Sequence, residues 1–398
     1  MHLSELRTKF GHPVRTRRSP LGERRGTPRG IWRPVSRGTK ATLLLQRILM
    51  VLVVVLLAYH VSRRGSAPPQ QGFSYYTDHY RHMRFAWEAL SIGARVYVTP
   101  LRDFAIIGDP LAYSWTNTEY LYPPSALLAY LPFALLTYGG VLPFTPVATA
   151  LVCAFALAAA YASLRVWREG LERSASFESR ALWTALAAGL FIHGMGWGLL
   201  GQYDTVVVLV LLLSVQAKSR SWRILGLGFA FSLKFQALLV FPFFVHEVWL
   251  LAQRPRGSLR RDAPALIGLA LTGLTLLLVL YLGQRGALSP VREGPLHIRE
   301  LLHHRVTLGC VLFTTTFAAV AFAKRQPEAG LIVVWTFGAF ASLSLIQGWY
   351  VLYLFPLAAF ASRRAGGWVA VYTLGLLYFI GWVPDVYRVA AEVLILPY

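Results

Sequence analysis

The sequence predicts an all-α, polytopic integral membrane protein of about 10–12 transmembrane helices, and three features carry that expectation. Of 398 residues, 56% are apolar and only 14% charged, whereas ordinary soluble domains carry roughly 25% charge. The apolar residues fall in long runs, and about 20 helical residues suffice to cross a hydrocarbon core about 30 Å thick. Lys and Arg cluster between those runs, the pattern by which basic residues orient a chain across a bilayer. A formal charge of +21 invites a nucleic-acid partner, but these clusters do not line one soluble face, so no nucleic acid is expected.

Residues 1–41 hold eleven Lys and Arg against Glu5 and Glu23, a composition that buries no core and predicts a disordered cytoplasmic tail. Residues 42–398 then form a single transmembrane domain. Its first run, residues 42–60, is long enough to span and lacks a small-residue cleavage site behind it, so it is expected to stay as an anchor. With the basic tail inside, this span exits outward, and residues 63–122 become a large exterior loop. Within that loop, residues 73–80 (FSYYTDHY) read as a short polar loop and residues 82–90 as an amphipathic interfacial helix.

The block 123–164 is interrupted at Tyr138, Gly139, Gly140 and Pro143, yet the basic residues from Arg165 to Arg180 that follow it belong inside. An odd number of crossings satisfies both, with 123–137 as a dipping segment and 142–164 as the crossing. Basic clusters at 218–223, 254–261, 324–325 and 363–364 set the later spans: 181–200, 205–216, 265–282, 307–323, 331–346, 351–361 and 367–382. The run 222–251 starts and ends inside, so it predicts a helical hairpin broken near Lys234, an intramembrane position where irregular backbone must line protein or a wet cavity.

With topology set this way, every polar motif falls on the exterior side, which predicts one site there. Asp78 is the candidate catalytic base, with Asp103 as its rival; such a carboxylate deprotonates a hydroxyl once the two are within hydrogen-bond reach. Tyr76 and His79 flank it as candidate sugar contacts. In YLYPP, the prolines suit a helix start, and Tyr122 faces a lipid phosphate or simply belongs to the interfacial aromatic belt. Gln202 and Asp204 of GQYD exceed what a plain turn requires and are candidate hydroxyl-binding groups. Lys234, with no acid near it in sequence, is a candidate phosphate cation at the exterior mouth of the hairpin, joined by His304 and Arg305 from the basic loop before residue 306. Gln347, Trp349 and Tyr350 of QGWY complete the set. No metal is expected, because adjacent His303 and His304 diverge on a helix and no Cys or acid pair accompanies them. Cys153 and Cys310 lie in apolar runs and behave as small hydrophobes. Neither a phosphate-binding G-x-x-x-x-G-K-[ST] loop nor a G-x-S-x-G nucleophile turn occurs.

An acid in the first exterior loop, then YPP, a basic loop, GQYD, an apolar hairpin around LKFQ and a late QGWYVLYLFP resemble the GT-C membrane glycosyltransferases. The nearest branch is that of the bacterial polyprenyl-phosphate-mannose-dependent α-mannosyltransferases. The resemblance covers roughly residues 42–382. It implies a GT-C-like fold whose first exterior loop carries short amphipathic helices. It also implies a polyprenyl-phosphate sugar as donor, mannose first among sugars, a glycan or glycolipid acceptor, and inverting transfer at the exterior face of the cytoplasmic membrane, without a cofactor. The alternative class is a lipid or sugar transporter, whose mark is a paired repeat of broken helices; the sequence offers one broken hairpin.

Overall fold

The computed structural model of the chain describes residues 44, 47–48, 51, 55, 73–104, 120, 122–174, 176–199, 202–253, 259–284, 305–342 and 352–380. The tail, most of the 42–60 anchor, His304 and the QGWY motif lie outside the described residues. All described elements are helical, and those from Phe73 onward belong to one compact unit, Gln46–Tyr398. Four described helices are long and apolar enough to cross a membrane: Phe144–Arg173, Phe177–Leu199, Phe235–Ala252 and Asp262–Leu282. Shorter apolar helices of 10–17 residues stand among them.

The first element corrects an expectation. Residues 73–80 are not a loop but the opening turns of α1 (Phe73–Ile92), 20 residues without Gly or Pro. His79, His82, Met83 and Ala86 are buried at helical spacing, so one face packs inward, against α2 (Pro124–Tyr138). The expected interfacial helix at 82–90 is therefore the second half of a packed helix. Polar residue types on its inner face hid the 3.6-residue period. Gly93, at φ 57°, ends it in a conformation that side-chain-bearing residues resist.

α2 starts at Pro124, where the missing N–H costs nothing, and stops at Gly139 and Gly140, the latter at φ 76°. The segment expected to dip is thus a regular helix. The crossing expected at 142–164 is longer: α3 (Phe144–Arg173) runs on through Arg165 and Arg168, so the basic cluster is partly helix and not only loop. α3 packs along α4 (Phe177–Leu199), where Gly194 and Gly198 let the helix approach Ala159 and Ala156 closely, the small-residue contact favoured between membrane helices.

α5 (Asp204–Gln216) and α6 (Arg220–Leu233) follow. Ser219 caps α6 by accepting from the Trp222 N–H at 3.3 Å. The chain breaks at Lys234, extended at φ −152° and ψ 122°, passes through a 3-10 turn (Phe235–Val240) and resumes as α7 (Phe241–Ala252). Glu247 on α7 returns to Arg223 near the start of α6, at 3.1 Å. The expected hairpin with its break at Lys234 is therefore present.

α8 (Leu259–Gln284) lies close on α6, where a Cβ on Gly228 would strike the backbone of Gly268 and one on Gly268 the backbone of Ile224. Its outer face leaves Leu274, Leu277 and Leu280 more than 60% exposed, a stripe that fits lipid and not water. α9 (Arg305–Ala323), α10 (Pro327–Ser342), the short α11 (Leu354–Phe360) and α12 (Arg363–Ile380) complete the described fold. Arg173 ties α3 to α11, donating to the carbonyls of Ala359 at 2.7 Å and Ala361 at 2.8 Å and so satisfying acceptors that a helix end leaves open.

Candidate functional site

Five segments distant in sequence meet at one end of the bundle: α1 at His79–His82, Tyr120 with Tyr122, the start of α5, the break at Lys234, and Tyr353 before α11. At its centre, Lys234 Nζ donates to Asp204 Oδ2 at 2.6 Å, with the two side chains 1% and 0% exposed. Tyr353 donates its hydroxyl to the other oxygen, Asp204 Oδ1, at 2.8 Å. The ammonium also sits over the rings of Tyr203, at 4.7 Å, and Tyr122, at 5.5 Å, so ring faces add to its stabilisation out of water.

Above this pair lies a box of tyrosines around His82. The imidazole stacks on Tyr130 at 4.6 Å and meets Tyr122 at 4.7 Å, Tyr203 at 5.1 Å and Tyr120 at 5.7 Å, all edge-on. Its Nδ1 is 3.2 Å from the Tyr120 hydroxyl, while Nε2 is buried without a hydrogen-bond partner. α1 is not among the helices apolar enough to span. Burial, then the charges of Arg81, Lys234 and His79, hold the His82 imidazole well below its ordinary pKa. One turn earlier, His79 Nδ1 lies 3.2 Å from the Tyr130 hydroxyl, and the ring packs on Phe155 of α3. Arg81 donates to the Tyr122 hydroxyl at 2.8 Å.

The structure brings His79, Tyr122, Asp204 and Lys234 together as the sequence expected. Gln202 is adjacent, its N–H bonded to the Trp197 carbonyl at 2.9 Å. Two details are corrected. Lys234 is not at an open mouth but enclosed, and the acid it lacked in sequence is Asp204, thirty residues away on the neighbouring helix. Asp204 in turn spends both carboxylate oxygens on Lys234 and Tyr353. Asp78 is carried on α1 one residue before His79, and Asp103 closes a short 3-10 turn (Leu101–Asp103). The side chains of Tyr76, Asp78 and Arg305 lie outside the described part, as do His304, Gln347, Trp349 and Tyr350 in full.

Arg81, His82, Tyr130, Tyr203 and Tyr353 emerge only from the structure as members of this cluster, while Tyr120 of YLYPP joins Tyr122 there. A signal for His82 existed: His79 and His82, three apart, share one face once residues 73–92 are read as helix. Among the described residues no group of His, Cys, Asp or Glu is arranged to hold a metal ion.

A cavity of about 1260 Å³ among the described residues lies elsewhere, at the opposite end of the bundle, lined by Arg165 and Arg173 of α3, Gln216 of α5 and Glu247 of α7. Along α3, Phe155 touches the His79 ring whereas Arg165 lines the cavity, a separation of about 15 Å at 1.5 Å per residue. We place the candidate site at the aromatic end, because there the polar motifs converge, while most cavity charges are paired with one another.

The fold and the site together define a helical membrane protein with a buried lysine–aspartate pair under an aromatic box. No family model, curated protein or solved structure matches the chain.

Proposed function

We propose that the chain is a membrane glycosyltransferase of the GT-C kind, moving a sugar, mannose first among candidates, from a polyprenyl phosphate to a glycan or glycolipid acceptor. The observation that supports this reading is the convergence of α1, YLYPP, GQYD and the Lys234 break at one end of the bundle, opposite the basic clusters. On the charge rule that end faces the exterior, and the remaining apolar helices, with the anchor, make up 10–12 spans.

In this reading Asp78 accepts the proton of an acceptor hydroxyl as the oxygen attacks the anomeric carbon and the bond to the phosphate oxygen breaks. The leaving group departs already anionic, so cations and oriented donors serve it and no general acid is required. Arg81 supplies positive charge, with Arg305 as the second expected cation, and the tyrosine box gives flat walls against which a sugar or an isoprenoid unit packs. Lys234 takes a supporting part, because its charge is offset by Asp204. The pair fixes Tyr203 and Tyr353, and Tyr203 in turn donates to the Leu233 carbonyl at 3.1 Å.

The direct test incubates the purified protein with a panel of polyprenyl-phosphate sugars and an acceptor mixture and measures free polyprenyl phosphate. Release with one donor, matched by sugar on an acceptor, is expected. Binding or translocation of donors without release would favour the transporter class.

A further inference from the structure

The cavity at the arginine end carries a charge pattern that its own pairs do not complete. Arg173 pairs with Glu169 at 2.7 Å, Arg223 with Glu247 at 3.1 Å, and Arg168 with Glu172 at 3.0 Å. Arg165 stands apart. No acid among the described residues is within ion-pair distance of it, and its Nε is buried without a hydrogen-bond partner. Its guanidinium lies only 5.9 Å from the Tyr161 ring. Two acceptors lack a hydrogen bond: Gln216 Oε1 and Glu247 Oε2 are buried and accept none, the latter being held in an ion pair by Arg220 at 3.5 Å. A buried polar atom left in this state costs free energy that a suitable ligand recovers.

The opposite wall is apolar. Phe243, Leu331, Ile332 and Trp335 line it, and the Trp335 Nε1 is already committed to the Leu239 carbonyl at 2.7 Å, so its ring offers only an apolar face. Leu331 is 62% exposed and Trp335 42%, which opens this wall between α7 and α10 toward the lipid. The complement is an amphiphile whose headgroup carries both an anion, for Arg165, and N–H donors, for Gln216 and Glu247, with a chain along the apolar wall.

We propose that this cavity binds a zwitterionic phospholipid with a primary ammonium headgroup, of the phosphatidylethanolamine type. Its phosphate meets Arg165, its ammonium meets Gln216 Oε1 and Glu247 Oε2, and its upper chain lies on Phe243 and Trp335. A volume of about 1260 Å³ exceeds the roughly 300–1,000 Å³ of ordinary ligand pockets and leaves room for headgroup and upper chain. Free phosphate or an anionic lipid satisfies Arg165 but brings negative charge against Glu169, Glu172 and Glu247. A choline headgroup has no N–H to give. The assignment depends on the membrane setting and not on sugar transfer.

The experiment uses the full chain, delipidated in detergent, with native mass spectrometry to count bound phosphatidylethanolamine, phosphatidylcholine, phosphatidylglycerol and free phosphoethanolamine. One phosphatidylethanolamine is expected, held about tenfold more tightly than the other lipids, with no retention of the free headgroup. Arg165→Gln, which breaks no ion pair among the described residues, is expected to lower that affinity about tenfold, the loss of one charge-assisted hydrogen bond. Gln216→Leu is expected to reduce the preference over phosphatidylcholine. As a second route, Leu331→Trp narrows the opening between α7 and α10 without touching a charge and is expected to lower retention at an unchanged circular dichroism spectrum. Equal binding of the three lipids, retention of phosphoethanolamine as tightly as of the lipid, or undiminished binding by both Arg165→Gln and Leu331→Trp would overturn the proposal.

Discussion

At the aromatic end, Lys234 and Asp204 are 1% and 0% exposed and 2.6 Å apart; at the arginine end, Arg168 and Glu172 are 54% and 62% exposed and 3.0 Å apart. The distances are alike, and the energetics are not. A wet pair gains little Coulomb energy and gives up side-chain freedom, for a net of about 0–1 kcal/mol. A dry pair has lost its hydration, so either partner alone becomes an uncompensated charge in a medium of low dielectric. Position in the fold, and not the residue pair, sets what the charge does: at one end it fixes geometry, at the other it tunes an open cavity.

The largest expected effect follows directly. Lys234→Ala or Asp204→Ala each is expected to cost about 3–5 kcal/mol of stability, since each strands a buried charge. Lys234→Met combined with Asp204→Leu is expected to recover most of that loss, while Arg168→Ala changes stability by less than about 1 kcal/mol. Thermal unfolding in a constant detergent ranks the four variants, and a mild Lys234→Ala would remove the distinction between the two ends.

Next in size is Arg173→Ala. Its side chain is 19% exposed and serves Glu169 together with two carbonyls at the end of α11. Loss of these charged hydrogen bonds is expected to cost about 1.5–3 kcal/mol, visible as a lower melting temperature with the aromatic end intact by tyrosine fluorescence.

The sidedness that the charge rule proposes for the two ends is tested by single cysteines at Gln202 and Lys218 in a chain lacking Cys153 and Cys310. These positions flank α5, whose 13 residues extend about 20 Å. An impermeant thiol reagent added outside intact cells is expected to label position 202 and to spare 218; the reverse pattern would turn the protein over in the membrane.

The smallest effect concerns pH. The folded state holds the His82 imidazole at a lowered pKa, so on acidification the unfolded chain takes up a proton that the folded chain refuses. Stability is then fully present above the ordinary histidine range and falls as pH drops through that range toward the lowered value. The melting temperature of the wild type is expected to drop more between pH 7 and pH 5 than that of His82→Phe. Equal drops would show that His82 takes no part.

Much of this layout was legible in the sequence. The basic clusters and the break at Lys234 follow from residue type and spacing alone, because charge and helix propensity act locally. Asp204 as the partner of Lys234 was not legible, since an ion pair across thirty residues depends on how α5 packs beside α6. Residues 73–80 misled for a different reason: Tyr, His and Asp signal exposure by composition, yet here His79 and His82 form an inner face because tyrosine rings, not apolar chains, surround them. Exposed Leu274 and Leu277 on α8 show the converse, with apolar residues facing outward, as lipid allows.

In the proposed reaction the aromatic end carries out inverting sugar transfer with Asp78 as base. Asp78→Asn keeps the shape of the side chain and cannot take the acceptor's proton. Single-turnover transfer from a polyprenyl-phosphate sugar is expected to slow by about 10²- to 10⁴-fold in that variant, with donor binding retained and with Asp103→Asn close to wild type; transfer by Asp78→Asn at the wild-type rate would contradict the account.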